Sequence, residues 1–257
     1  MSNLNSLFGA VALPAETVGL LTDVDIGEQI MGAMGVSADD VPGAEAVFVT
    51  MLMDDSSSIA DSGNTDFMIE GQNIVLDALN DSAQREDVLA NTLLLNSSIG
   101  SGYAFLDNAT RLSRSNYRPY GGTPLFERSL VVLGGVLAKE QDFKSKGVSC
   151  RSITLIATDG GDTGRVNVSN VKALVDRLLK TENHIVAGMG IQDRYGTDFE
   201  AIFKSMGIQD EWIMLATGSD KAAIQKAIRE KFRLFSQSAR IASQTANLSK
   251  MTGFKSP

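Results

Sequence analysis

The chain has 257 residues, of which 23 are basic and 31 acidic, for a formal net charge of −8, and 43% are hydrophobic. That length suits one large α/β domain with an ample core, and the composition excludes a collagen, a disordered tail and a disulfide scaffold. The acidic balance argues against a nucleic-acid partner, no uncharged apolar run is long enough to span a bilayer, and the single cysteine, Cys150, has no partner for an internal bridge, which points to a reducing, cytoplasmic compartment.

Charge is unevenly spread. Residues 1–84 hold fourteen acidic residues and no Lys or Arg, whereas residues 221–257 carry eight basic residues against Glu230 alone. Such asymmetry has two readings: a tail for an anionic partner, or an acidic front and a basic back that pack near each other. The stretch from Leu7 to Leu13 is apolar, but no positive segment precedes it and Pro14 follows, so it does not read as a secretory signal. Residues 1–44 are expected to be an acidic extension laid on the domain, with one short helix over 25–34. Val41-Pro42-Gly43 punctuates before the first strand.

From Val47 to Met53 the sequence is nearly all apolar, as in a parallel strand covered on both faces. A helical stripe follows over 66–79. Strands are predicted at 92–95 and, briefly, at 103–105. Thr123 is expected to cap the next helix with Pro124 at its first position. Ile153–Ala157 is a buried strand, followed by a helix with Val171, Leu174, Val175 and Leu178 inward. A strand at 185–188, a short helix at 199–206 and a strand at 212–215 come next, and Ser219 is expected to cap the closing helix. Strands alternating with helices define an α/β, Rossmann-like fold: a mostly parallel central sheet with helices on both faces and one short edge strand.

Ligands in such sheets bind at the carboxyl ends of the strands. Three loops there carry chemistry. Asp54-Asp55-Ser56-Ser57-Ser58 follows the first strand, and its alternate residues Asp54, Ser56 and Ser58 share one side if the loop is extended. Thr158-Asp159-Gly160-Gly161-Asp162 follows the fourth strand, and Tyr120-Gly121-Gly122-Thr123-Pro124 leads into a helix. Carboxylates and hydroxyls without sulfur or imidazole suit Mg²⁺, with Ca²⁺ or Mn²⁺ as alternatives, and disfavour zinc and copper. The same residue types also serve as ordinary turn and cap residues.

Together, Asp54-x-Ser56-x-Ser58, Gly121-Gly122-Thr123 and Thr158-Asp159-Gly160 resemble the metal-ion-dependent adhesion site of von Willebrand factor A domains, in family order and over about residues 45–235. The resemblance implies that Ser56, Ser58 and Thr123 ligate the metal through hydroxyls, that Asp54 and Asp159 act directly or through water, and that the short edge strand is antiparallel. It further implies a Mg²⁺-dependent protein-binding module, an adaptor or scaffold without turnover. Its partner would be another protein contributing a Glu or Asp to the open coordination position. Residues 236–257 lie outside the resemblance, as the basic end of the last helix and a tail. The Gly-Gly-Thr-Pro-Leu form and the Ser-rich stretch Phe235-Ser236-Gln237-Ser238-Ala239 look most like bacterial cytoplasmic members of the tellurium-resistance-associated type.

Arg118 and Tyr120, just before the metal-loop turn, are candidate rim residues for a partner, since Arg and Tyr are favoured at interfaces. Asp55 and Asp162 are left outside the ligand set. Gly188-Met189-Gly190 lacks the third glycine of a dinucleotide loop, no Walker-type run exists, and the sole histidine, His184, has no obvious catalytic companion. Two rival functions remain. One is a Mg²⁺-dependent phosphohydrolase with Asp54 as nucleophile; it resembles haloacid-dehalogenase-like sites, but these want an acid where Ser56 stands. The other is self-assembly through the oppositely charged ends, which leaves the oligomeric state open.

Overall fold

The computed structural model describes Phe8 and residues 13–97, 102–245 and 247–254. Most of the apolar stretch at 7–13, and Lys255 in the basic tail, lie outside the described residues. The fold is built around β1 (Glu45–Met53), of which every residue after the first is buried. It can be apolar throughout because it has a neighbour on each side and cover on each face.

β1 runs parallel to β2 (Val88–Leu94), with Val47 opposite Val88, and parallel to β4 (Ser149–Thr158), with Met53 opposite Ala157. β3 (Ala104–Phe105) pairs antiparallel with β2 at the edge, Leu89 facing Phe105. On the other side β5 (His184–Ile191) pairs with β4 and β6 (Ile213–Ala216) with β5, both parallel. The order β3-β2-β1-β4-β5-β6 therefore changes direction between β1 and β4. This is the switch point at which such sheets open a crevice beyond their strand ends.

The helices are α1 (Ala15–Leu21), α2 (Val24–Gly32), α3 (Ser57–Asp61), α4 (Thr65–Asn80), α5 (Leu125–Ser145), α6 (Val168–Leu179), α7 (Phe199–Ser205) and α8 (Lys221–Gln244). They flank the sheet. α5 packs against α2 and α6, whereas α4 and α8 form a close pair. In that pair the Phe232 ring fills the place where a Cβ on Gly71 would sit, 2.0 Å from Cδ2.

Several predicted details change. Thr123 does not cap α5: the helix begins at Leu125 and Pro124 holds the cap position without a side-chain bond. Asp162 instead accepts from the Phe126 N–H across the loop, at 3.0 Å. Asp220, rather than Ser219, caps α8 through the Ala223 N–H. α2 starts at Val24 with Asp23 as its cap, and β2 starts earlier than the sequence suggested, at Val88. Gly188 and Gly190 make room for rings: a Cβ there would lie 2.6 Å from Phe203 and 2.4 Å from Phe199. The end of the last helix expected after residue 235 is the continuation of α8 to Gln244, with Ser236, Ser238, Ala239, Ala242 and Ser243 buried.

The segment before β1 is tied to the rest of the domain. Leu21 and Ile30 press on Gly134 of α5, Thr17 donates to Asn170 of α6 at 2.9 Å, and the Val36 N–H donates to the Tyr103 carbonyl at 2.8 Å. Lys139, buried in α5, donates to the carbonyls of Met34 and Val36, with its ammonium 4.8 Å from the centre of the Phe143 ring. Burial lowers the pKa of Lys139 to about 8. Among the described residues, no helix is long and apolar enough to cross a membrane.

Candidate functional site

Asp54 and Asp159 are the first residues beyond the adjacent strands β1 and β4, so the switch point itself brings them together. The Asp54 N–H continues the ladder to the Ala157 carbonyl at 3.0 Å. Both carboxylates are buried, yet they are held differently. One Asp54 oxygen accepts from the Ser56 N–H at 2.7 Å; the other accepts from the Thr158 hydroxyl at 2.6 Å and the Asp159 N–H at 3.3 Å. Asp159 accepts from the Ser58 hydroxyl at 2.5 Å, and the Ser56 and Ser58 hydroxyls lie 2.9 Å apart.

The third loop closes on these two. The Ser57 N–H donates to the Gly121 carbonyl and the Tyr120 N–H to the Asp55 carbonyl, at 3.1 and 2.7 Å. Gly121 takes a positive φ of 76° to make this turn. Thr123 is pinned through its backbone to Thr163, which places its hydroxyl so near Gly160 that a Cβ there would lie 2.9 Å away. The five predicted donors, Asp54, Ser56, Ser58, Thr123 and Asp159, thus sit in three loops joined to one another by hydrogen bonds and contact.

Asp55 and Asp162 organise the loops. Asp55 accepts from the Asn96 N–H at 2.7 Å and the Ser97 hydroxyl at 2.6 Å, tying the loop after β2 to the site. Of the rim candidates, Tyr120 is 54% exposed and donates its hydroxyl to the Asn96 carbonyl, and Arg118 is exposed. Neither lines the groove described next.

That groove, about 650 Å³, begins at Ser56, Ser58, Thr123 and Asp159. It runs to the loop after β5, with Arg194 and Tyr195, and to the start of α8, with Lys221 and Ile224. Sequence reasoning missed this far wall and, although it named Thr158 in the loop motif, gave it no role. The signal for Thr158 was its place as the last residue of a buried strand, one step before Asp159.

Electrostatics define what the site lacks. Burial raises the pKa of Asp54, against the pull of its donors at Ser56, Thr158 and Asp159. Burial, with the neighbouring Asp54 and Asp193 charges, pushes Asp159 up to about 7, while the Ser58 and Ser62 hydroxyls work the other way. Burial also raises Tyr117, helped by the charges of Asp54, Asp55 and Asp159; its hydroxyl donates to the Asp54 carbonyl. Among the described residues no Lys or Arg forms an ion pair with Asp54 or Asp159. Two desolvated carboxylates with hydroxyl neighbours and no counter-cation form a hard donor set that a small divalent cation fits. No three His, Cys, Asp or Glu side chains converge as a ligand group among the described residues, so a cation here would depend on the hydroxyls.

His184 has companions after all, at the far end of β5. Its Nδ1 is 2.7 Å from the Ser152 hydroxyl and its Nε2 is 3.1 Å from Glu140. All three residues are buried, so no substrate reaches them.

No protein-family model matches this chain, and no curated protein matches it in sequence. Solved structures do resemble it. A mutant of the PilB minor pilin from Streptococcus sanguinis is 13% identical with a TM-score of 0.50, covering 80% of this chain and 65% of that one. The pilus adhesin SpaC from Lactobacillus rhamnosus GG, in its open conformation, is also 13% identical at a TM-score of 0.50, covering 76% of this chain and 30% of that one. A manganese-loaded TRAP protein from Plasmodium vivax is 19% identical at a TM-score of 0.44, covering 72% and 74%. The chain therefore spans just under two thirds of the pilin and about a third of the adhesin, and at these identities the likeness is one of fold.

Proposed function

We propose that this chain is a divalent-metal-dependent protein-binding module of the von Willebrand factor A type, with Mg²⁺ as its ion and an acidic side chain of another protein as its target. The observation that carries this reading is the convergence of Ser56, Ser58, Thr123 and Asp159 at one end of an open groove, backed by Asp54, with no Lys or Arg among the described residues ion-paired to the two buried acids. Ser56, Ser58 and Thr123 would hold the cation through neutral oxygens. Asp54, with both oxygens already accepting hydrogen bonds, would act through water. A cation held mainly by neutral oxygens keeps its electrophilicity and so supplies an open position for an incoming carboxylate. What weighs against a phosphohydrolase is the burial of Asp54: its side chain is covered and each carboxylate oxygen already accepts a hydrogen bond, a poor posture for in-line attack. A cytoplasmic setting belongs to the same reading and is supported by the lone cysteine. Cys150 is buried, and its thiol is pushed up to about 12 by burial and by Glu140.

The test is thermal unfolding together with the binding of a labelled peptide carrying one Glu, each in MgCl₂ and in chelator. Mg²⁺ is expected to stabilise the chain by about 1–3 kcal/mol when well above its dissociation constant. The peptide should bind only with Mg²⁺ present, and Asp54→Ala should remove both effects while circular dichroism shows an intact fold. Equal melting and equal peptide affinity in chelator would overturn the reading. So would metal-dependent hydrolysis of p-nitrophenyl phosphate that disappears in Asp54→Asn.

A further inference from the structure

The groove has a second wall with chemistry of its own. Lys221 opens α8, and its ammonium rests on the turn between α3 and α4: a Cβ on Gly63 would meet Nζ at 2.3 Å, and Gly63 holds a positive φ of 71°. Among the described residues Lys221 has neither an ion pair nor a hydrogen bond. Arg194 stacks on Tyr195, 4.9 Å from its ring centre, and donates to the Tyr195 hydroxyl at 2.6 Å, with no described carboxylate partner. Asn64 also lines the groove at 2% exposure, and its carboxamide makes no hydrogen bond among the described residues. Because Asn64 lines the groove, its carboxamide is free to bond to an occupant there.

Four acids, Asp61, Asp159, Asp193 and Asp220, also line the groove, and hydrogen bonds fix the last three in place without removing their charge. Asp193 accepts from the Tyr195 and Thr197 N–H groups and from the Thr197 hydroxyl, and Asp220 accepts from the Ala223 N–H at the cap of α8. Asp61 alone is exposed with no described bond. Lys221 also stands at the positive end of the 24-residue α8, which favours an anion beside it.

We propose that Lys221, Arg194 and Asn64 form a second anchor that receives another carboxylate of an extended, acidic segment of the partner protein, in the same groove as the metal-site donors. This rests on the metal-dependent reading above, because the first carboxylate is the one directed to Ser56, Ser58, Thr123 and Asp159. At about 650 Å³ the groove lies well within the size range of ligand sites, roughly 300–1,000 Å³. Residues of both anchors line it, and Ile224, one turn after Lys221 on α8, adds an apolar contact. The occupant is thus a peptide strand with two acids separated by a short spacer.

The probe is a series of labelled, end-blocked peptides in which two Glu residues flank Gly-Ser spacers of increasing length, with the single-Glu peptide as reference, all in MgCl₂. At one spacer length the two-acid peptide should bind about tenfold tighter than the reference. Lys221→Gln combined with Arg194→Gln should erase that gain without changing single-Glu affinity; both positions are exposed, so the fold tolerates the change. Asp61→Asn should tighten two-acid binding. The proposal is overturned if no two-acid peptide exceeds the reference, or if the gain survives in the double variant. The metal reading fails on a different readout, namely single-Glu binding that persists in chelator, and absence of binding by every peptide overturns both.

Discussion

Asp54 and Thr158 show how one residue pair determines what the site can do. The Thr158 hydroxyl donates to Asp54 at 2.6 Å and is fully buried. It also accepts from the Gly160 N–H at 3.1 Å, joining the strand end to the glycine that faces Thr123. Thr158→Val keeps the shape and removes both bonds. Leaving one Asp54 oxygen short of a donor should cost about 1–3 kcal/mol of stability and weaken the Mg²⁺ response, because that oxygen is then held by the longer Asp159 N–H bond alone. Urea unfolding with and without Mg²⁺ measures this, and an unchanged midpoint with an unchanged metal response would show that Thr158 is idle. At this scale the sequence was informative about the five donors, since a Ser-rich run after a buried strand and a Thr-Asp-Gly after another are local patterns. It assigned no site role to Thr158, Asn64 or Lys221. Their roles depend on which loops meet in space, and only Thr158, at the end of a buried strand beside Asp159, carries a local mark.

The elements were legible where periodicity was strong and less so at their ends. β1 and α5 follow from apolar pattern alone, because burial on both faces or along a wide stripe leaves few polar positions. The start of α5 was misread because Thr-Pro is a good helix opening in isolation. In the fold, the Thr123 backbone is tied instead to Thr163, and Asp162 supplies the acceptor for Phe126. The contact between α4 and α8 was not legible at all, since only the folded chain reveals that Gly71 faces the Phe232 ring. Gly71→Ala should therefore drive the two helices apart and destabilise the protein by about 1–3 kcal/mol, as overpacking does. Gly135→Ala, in α5, is the counterpart: a Cβ there meets nothing within 4 Å. It should stabilise by about 0.5–1 kcal/mol through helix propensity alone. Chemical denaturation of the pair decides the matter; like-signed effects would mean that the space around these two glycines is not what separates them.

Across the whole molecule, ion pairs join the helix α4 to residues distant in sequence. Arg229 of α8 pairs with Glu70 of α4 at 2.6 Å, and Arg111 and Arg114 pair with Asp77 and Asp66 of the same helix. Only the first of these joins the acidic front to the basic residues 221–257, and it leaves both sequence readings of the charge asymmetry open. These surface pairs contribute little individually. The charge with global leverage is Glu140, buried at the end of the sheet away from the site. It faces His184 of β5 and Lys144 of its own helix, with Cys150 and Ser152 of β4 nearby. Burial alone would raise its pKa, but hydrogen bonds and charge from His184 and Lys144 win and hold it down to about 2. An acid whose pKa is lower folded than unfolded stabilises the fold above the unfolded value, here 4.5, and loses that contribution as pH falls toward the folded value. The full effect is on the order of 3 kcal/mol, and about 2 kcal/mol of it should be gone by about pH 3. Glu140→Gln cannot titrate, so its stability gap to the parent chain should narrow by about 2 kcal/mol between about pH 6 and pH 3. Urea unfolding of both proteins across that window measures the gap while carboxylates common to both cancel. A gap that stays constant with pH would mean that Glu140 is protonated in the fold and that its pairing with His184 carries no charge.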